Sequence, residues 1–437
     1  MYQHTFLTEN DSLGIIDPLL NAPCLDGTGN PLPGFSNPNQ CVPAGNQINP
    51  NFSATLLPID LTRGGSNFLF AGHTDVKQLA LYVQDAITKG NWSFNLGIRG
   101  DFYNGLSSTR QAEPRVGIAY NIKPSSTVLK ISYARTLETP FNENLVVSTT
   151  GCSVPVLAAL IPCVPANSPA GFRNEFHAGL QQAFGRYLVI DAEYLWKYTH
   201  NAYDFSVLGN TPITFPIDWH NSKIPGYAIR ASMPNFHGFT ALVVMSSVAA
   251  RYFPPQVGGL GVTVGRGSVF RIDHDEKFNQ TTHLQYQPWK RGPWFGFNWR
   301  YDSGLVAGAV LDYATALTFD ADQQAAIGLF CGNVFATLTN PLTSCPAGTP
   351  HGAIRIVIPA DGTENADKNP PRIAPRNLFD ASVGEDDVFH GDHYKWSLRV
   401  TAINLTNKEA LYNFLSTFSG THFVTPRALT AELGFHF

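Results

Sequence analysis

The stretch Trp92-Ser-Phe-Asn-Leu-Gly-Ile-Arg-Gly-Asp-Phe-Tyr103 decides how this chain folds. Trp92, Phe94, Leu96, Ile98 and Phe102 alternate with Ser93, Asn95, Gly97, Arg99, Asp101 and Tyr103. A period of two belongs to a β-strand, whose successive side chains point to opposite faces. One face of this strand suits hydrocarbon and the other suits water. Leu188–Tyr198 repeats the pattern, with Leu188, Ile190, Ala192, Tyr194, Trp196 and Tyr198 opposite Asp191, Glu193 and Lys197. In Trp294–Tyr301, Phe295, Phe297, Trp299 and Tyr301 oppose Asn298 and Arg300.

Composition agrees. Only 14% of the 437 residues are charged, against about 25% in soluble domains. Aromatics reach 12%, with 30 Phe and 16 Tyr, and 38 Gly and 31 Pro supply turns. The net charge of −4 offers nothing to nucleic acid. Apolar runs such as Val154–Ile161 fall far short of the ~20 residues a membrane-spanning helix needs. A membrane protein without such helices has to be a β-barrel, because lipid offers no partner to unpaired backbone groups.

Extending the alternation along the chain predicts about thirteen strands. Their spans are 74–87, 91–103, 112–121, 127–137, 173–183, 187–198, 223–233, 239–250, 275–287, 294–303, 377–384, 394–405 and 426–437. Residues 1–73 are expected to be an outer loop region and lead-in, and 74–437 the barrel portion. Short links at 89–91, 121–126, 184–187, 234–238 and 288–293 alternate with longer ones at 104–111, 138–172, 199–222, 251–274 and 304–376. Up-and-down barrels of the outer membrane put short turns on the periplasmic side and long loops outside. The 304–376 insertion is too long to be structureless without a reason, and a short helix is expected near Ala321–Phe330.

The six cysteines form local pairs, Cys24/Cys41, Cys152/Cys163 and Cys331/Cys345, each in a Pro/Gly/Asn-rich loop. Cys-x-x-Cys metal spacing is absent. Disulfides that staple outer loops are the better reading than free buried thiols, and they require an oxidising compartment. All three pairs fall on the long-loop side when strands are counted back from the C-terminus.

The last strand places Leu429, Ala431, Leu433, Phe435 and Phe437 on one face. An alternating apolar strand ending on an aromatic resembles the signal read by the barrel-assembly machinery. At a soluble chain end, such an edge would be an aggregation liability.

Several phrases, in order, resemble TonB-dependent receptors. They are Leu81-Tyr-Val-Gln-Asp85 with Leu96-Gly-Ile-Arg-Gly-Asp101, then Glu113-Pro-Arg-Val-Gly-Ile-Ala-Tyr120 with Ile131-Ser-Tyr-Ala-Arg135, and Tyr301-Asp-Ser-Gly304. The ending Ile403-Asn-Leu-Thr-Asn407, Phe418-Ser-Gly-Thr-His422, Pro426-Arg427 and Phe437 is similar too. The resemblance covers roughly residues 65–437 and is strongest to the Oar-like subgroup. It implies the outer membrane of a Gram-negative cell and energised uptake of a scarce solute. It also implies a barrel of about 22 strands around a plug. Thirteen strands, with neither plug nor TonB box in view, lead to the expectation of a partial barrel, a fragment that reaches the TonB complex only through a missing plug domain. Met1-Tyr-Gln-His-Thr carries no basic n-region or apolar h-region, so the natural N-terminus is expected to be lacking as well.

Arg99, Asp101, Arg115, Glu193, Lys197 and Arg300 are expected to face the lumen. Solvation of the wall and contact with a plug account for them before direct solute contact does. His274 with Asp273 and Asp275, and His390 with Asp392 and His393, have ligand-type side chains, but a strand start and a solvated turn explain them. The Gly258–Gly265 run lacks the strand–helix unit of a phosphate loop, and Gly65-Ser66 lacks a nucleophile-elbow context. No cofactor, metal or catalytic residue is expected, and the chain is not read as an enzyme. The competing function is a passive porin-like, structural or adhesive barrel. Lipid and an unidentified solute are the expected partners, and the sequence leaves the identity of the solute open.

Overall fold

The computed structural model describes residues 1–436 apart from 106, 140–145, 148–152, 161–169, 208–213, 258–267, 290–291, 309, 311, 392 and 417–419. Its body is one antiparallel sheet in which sequential neighbours pair. The strands are β1 (Tyr2–Leu13), β2 (Phe68–Lys89), β3 (Trp92–Asn104), β4 (Ser108–Ile122), β5 (Thr127–Glu138), β6 (Gly171–Phe184) and β7 (Leu188–Val207). There follow β8 (Thr214–Phe236), β9 (Phe239–Val248), β10 (Asn279–Tyr286), β11 (Trp294–Asp302), β12 (Arg376–Glu385), β13 (Lys395–Ile403) and β14 (Ala428–His436). Two short strands, Arg251–Val257 and Phe270–Arg271, lie off this path and bring the sheet to 16. Among the described residues no rung joins β1 to β14.

Each of the thirteen expected strands is present, and Tyr2–Leu13 is added to them. It pairs along its whole length with the outer half of β2, from Tyr2↔Leu79 to Leu13↔Phe68. Its alternation was hidden because His4, Thr8 and Asn10 stand on one face and Gln3, Thr5, Glu9 and Asp11 on the other. The expected loop at 199–222 is a second correction: β7 and β8 run on as a paired ribbon to Val207↔Thr214. The polar Thr199, His200 and Asn201 read as loop, but the strands here project beyond the apolar zone, where both faces can be wet.

The register sorts the side chains cleanly. Leu79, Val83, Ile87, Phe94, Leu96, Ile98, Val116, Ile118, Leu129 and Ile131 share the outer face. So do Leu180, Tyr194, Phe297, Val383, Leu398, Val400, Leu429 and Leu433 on later strands. Many of these are exposed, Leu429 at 77% and Leu433 at 67%. A continuous exposed apolar band on one face of a sheet is what a lipid-facing wall requires. Aromatic pairs close its lower border: Trp92 and Tyr120 lie 4.5 Å apart, and Trp396 and Phe435 4.9 Å.

The other face is concave. Leu13 and Phe70 of β1 and β2 share one buried cluster with Ala202, Ile217 and Trp219 of β7 and β8. Val146, Val147 and Leu157 of the intervening connection bridge them. Two inner-face glycines let neighbouring strands approach closely. A Cβ on Gly179 would lie 2.6 Å from Ala192 O, and one on Gly226 would meet Ser247 O closer still.

The tight turns at 90–91, 123–126, 185–187 and 237–238 sit at one end of the wall, and the large connections sit at the other. Among the latter, 303–375 folds as a lobe around Val310, Ala316, Ile327, Leu329, Ile356 and Ile373. The expected helix is Ala321–Ile327, started by a capping box of Asp320 and Gln323 and stopped by left-handed Gly328. Disulfides Cys24–Cys41 and Cys331–Cys345 staple two of these connections. Cys152, Cys163 and Phe437 lie outside the described residues.

Candidate functional site

The register places Arg99, Asp101, Arg115, Glu193, Lys197 and Arg300 all on the concave face. They do not form one centre; they belong to successive ion-paired groups. Arg99 binds Asp101 at 2.6 Å, Gln78 donates to Asp101 at 3.0 Å, and Arg115 lies 3.6 Å from Glu113. Glu113 also accepts Leu137 N at 2.7 Å, tying β4 to the end of β5. Further round, Glu175 meets Arg173 at 2.8 Å, Lys197 at 3.4 Å and His177 at 3.6 Å. His177 in turn lies 3.7 Å from Glu193. Lys130 and Asp191 pair at 2.7 Å.

Glu113, Lys130, Arg173, Glu175 and His177 were missed by the sequence reading. The signal was available, because Glu113 stands two residues from Arg115, and Arg173, Glu175 and His177 follow the same alternation. Cross-strand pairing of opposite charges is the sheet's way of solvating a wet wall without leaving a net field.

Near Arg300 the wall and the last large connection enclose a cavity of about 700 Å³. Arg300, Asn298 and Asp380 come from the wall, and Asn404, Asn413 and His422 from residues 404–425. The connection is held there by specific bonds. Asn404 N donates to Asp380 at 2.8 Å, and the Asn404 amide donates to Lys408 O and Thr425 O, both at 2.9 Å. Arg376 donates to Leu411 O at 3.0 Å, and its guanidinium lies 5.4 Å from the Tyr412 ring centre. Leu411 and Phe414, fully buried, plug the same hairpin into the lobe core. The cavity joins amides, one guanidinium, one carboxylate, an imidazole and three hydroxyls to apolar side chains such as Leu378, Ile403 and Phe423. Its polar groups can hydrogen-bond a polar solute.

At the rim a buried ion network joins the connections to one another. Asp275 is fully buried and accepts from Ala250 N at 2.5 Å, Arg372 Nη2 at 2.5 Å and Arg271 Nη1 at 3.1 Å. Arg251 and Arg271 both bind Asp367, at 2.7 and 2.8 Å. Burial alone would raise the Asp367 pKa, but the hydrogen bonds and charges of the two arginines hold it below the usual carboxylate range. His274 binds Asp273 at 2.7 Å, and this hydrogen bond raises its pKa against the opposing effect of burial. Asp273 also accepts from Ser416 at 3.0 Å. His390 sits in a turn with its N–H donating to Asp387 O. Asp26 is held low by Thr28 and Asn30, which donate to it within a tight loop.

An apolar outer face, a polar ion-paired inner face, tight turns at one end and stapled lobes at the other define an outer-membrane β-barrel wall. Residues 26–170 match the family described as TonB dependent receptor-like, beta-barrel. The remainder carries the same architecture. The FrpB iron transporter from Neisseria meningitidis superposes at a TM-score of 0.52 and 13% identity, covering 86% of this chain and 47% of that one. The outer membrane transporter YddB from Escherichia coli gives 0.51 at 12%, covering 85% and 47%. The siderophore receptor PiuA from Acinetobacter baumannii gives 0.50 at 12%, covering 94% and 50%. No curated protein matches the chain in sequence. The chain spans about half the length of these structures. The chain is thus similar over residues 26–170 to the β-barrel of TonB-dependent receptors, and in fold to solved outer-membrane transporters and receptors.

Proposed function

We propose that this chain is the wall of a TonB-dependent receptor that draws a scarce solute inward across the outer membrane. The observation that carries the reading is the pairing of an apolar convex face with an ion-paired concave face over which the stapled outer connections fold. In this reading Arg99, Asp101, Arg115, Glu193 and Lys197 solvate the lumen and meet a plug domain, through which TonB acts. Arg300 and the residues of the adjoining cavity touch the solute on its way. Leu429, Ala431, Leu433, Phe435 and Phe437 form the strand read by the barrel-assembly machinery. Cys152 and Cys163 staple a third outer connection.

Iron and siderophore stand in the names of structurally similar proteins, which makes iron chelates the first solutes to try. The test is growth on a panel of iron chelates in a host stripped of its own receptors. The chain is expressed with a plug domain, in the presence and absence of TonB. TonB-dependent growth on one chelate supports the reading. Entry of small sugars at a rate proportional to their concentration and indifferent to TonB would show a passive pore instead.

A further inference from the structure

Two histidines from neighbouring strands meet where the β7–β8 ribbon leaves the apolar band. The ladder between these strands runs unbroken from Val189↔Ser232 to His200↔Asn221. It then skips the facing pair Asn201 and His220 and resumes at Ala202↔Trp219. Asn201 is in the left-handed region, with a φ of 51°. On the other side of β8, the pairing with Arg251–Val257 also loses register between Trp219 and Asn221. His220 therefore takes part in neither ladder. Such an interruption frees a side chain from the strand's alternation and re-aims it. His220 is exposed, and its ring centre lies 5.7 Å from that of His200, with the two planes at 77°.

The His200 ring is already oriented for coordination. Its Nδ1 lies 3.0 Å from Asn221 Oδ1. An amide oxygen only accepts, so Nδ1 carries the proton and donates it, and Nε2 keeps its lone pair. Proteins orient metal-binding imidazoles in this way, by giving the other ring nitrogen an acceptor. Among the described residues, Nε2 of His200 and the ring nitrogens of His220 have no hydrogen-bond partner. Phe172, 5.3 Å from the His200 ring, packs against it on the β6 side. Asp218, buried two residues before His220, brings a carboxylate near both imidazoles.

The geometry points to a site for a divalent transition-metal ion, Zn2+, Cu2+ or Ni2+, held by His200 Nε2 and the His220 ring. Imidazole nitrogens suit these ions, whereas Ca2+ and Mg2+ require oxygen. Two imidazoles on one tetrahedral ion, each nitrogen about 2.0–2.1 Å from it, have ring centres roughly 5 Å apart. A small side-chain adjustment separates the observed pair from that arrangement. Among the described residues no group of three or more metal-ligating side chains forms. Asp218 is thus a neighbouring charge and not a ligand, water fills the other positions, and the ion exchanges with the outside. An ion held here ties β7 to β8 where their ladder is interrupted. No local spacing in the sequence reports the pair, because breaks in two ladders bring it together.

The test uses the whole untagged chain in detergent micelles, titrated with Zn2+ by calorimetry and with Cu2+ by electron paramagnetic resonance. The parent should bind one Zn2+ that H200Q and H220Q each lose, with the heat-modifiable gel shift of the wall unchanged. The Cu2+ spectrum of the parent should show coupling to two imidazole nitrogens. N221A, which removes only the acceptor behind His200, should weaken Zn2+ binding about tenfold. H237Q, in a tight turn at the opposite end of the wall, should match the parent. Zn2+ should also slow proteolysis of the ribbon tip in the parent and not in H220Q. Parent-like Zn2+ binding by H200Q or H220Q overturns the proposal and leaves the ring contact as aromatic packing alone. A Cu2+ spectrum with a single coupled nitrogen overturns it as well, as does displacement of Zn2+ by equimolar Ca2+. None of these outcomes depends on which solute the lumen carries.

Discussion

Replacing Asp275 by Asn should loosen the outer lobe far more than a surface charge change would. Asp275 is fully buried, and it is the carboxylate that faces Arg372, itself 6% exposed. Arg271 keeps a second acid, Asp367, at 2.8 Å. In D275N the Arg372 guanidinium therefore stays buried opposite a neutral amide. Breaking a buried pair by removing one partner typically costs about 3–5 kcal/mol, because a charge is left uncompensated. Arg372 also donates to Asp275 O at 2.9 Å and Gly304 O at 3.2 Å, so the strain falls on the seam between the 249–278 connection and the lobe. The assay is proteolysis of the 303–375 lobe from the outer side of intact membranes. Where opening is fast relative to cleavage, the rate follows the open population. A loss of about 3 kcal/mol then raises cleavage roughly 100-fold. The companion variant D275L/R372M, apolar at both positions, should regain most of the protection. Cleavage of D275N within about fivefold of the parent, or greater sensitivity in the double variant than in D275N, would refute the reasoning.

The Cys331–Cys345 staple closes a loop with a sequence separation of 14, worth about 3 kcal/mol in the chain-entropy account. Reduction, or Cys345→Ser, should expose the lobe to the same protease without altering the heat-modifiable gel shift of the wall. Ile98, 50% exposed in the apolar band, should cost roughly 2–4 kcal/mol when replaced by Arg, read as a lower denaturant midpoint in lipid. Because the folded pKa of Asp367 is lowered, its stabilising effect is full above the ordinary Asp pKa, about 3.9, and fades as pH falls through the lowered value. Protease resistance of the lobe should therefore drop in acid, and Asp367→Asn should abolish that step; an unchanged acid profile in the variant would remove Asp367 from the explanation. Leu433→Asp, or deletion of Phe437, should reduce the amount of chain assembled in the membrane, measured by surface labelling.

The wall was legible wherever one face had to meet hydrocarbon. Trp92–Asn104 and Leu188–Tyr198 declare both faces because lipid selects apolar residues at every second position. Tyr2–Leu13 was illegible because it pairs with the outer half of β2, above much of the band, where water reaches both faces. The ribbon that replaces the expected 199–222 loop was hidden for the same reason. Inside it, Trp219 is only 2% exposed because residues from far along the chain, such as Leu13 and Val147, pack on it. No local pattern reports such a contact. Arg99 and Asp101 were visible as inward charges by alternation alone. The cavity beside Arg300 was not, since it exists only when residues 404–425 fold back across the wall.

Gly179 and Gly226 give the wall a mechanical property that its side chains alone would not predict. At both points one stave leans on the backbone of the next with no side chain between them. Adding a methyl at either point would push the neighbouring backbone outward. In the proposed receptor the lumen would then widen on that flank, and a plug would fit it less closely. Dye leakage through such an alanine variant would make the width of the passage traceable to two missing methyl groups.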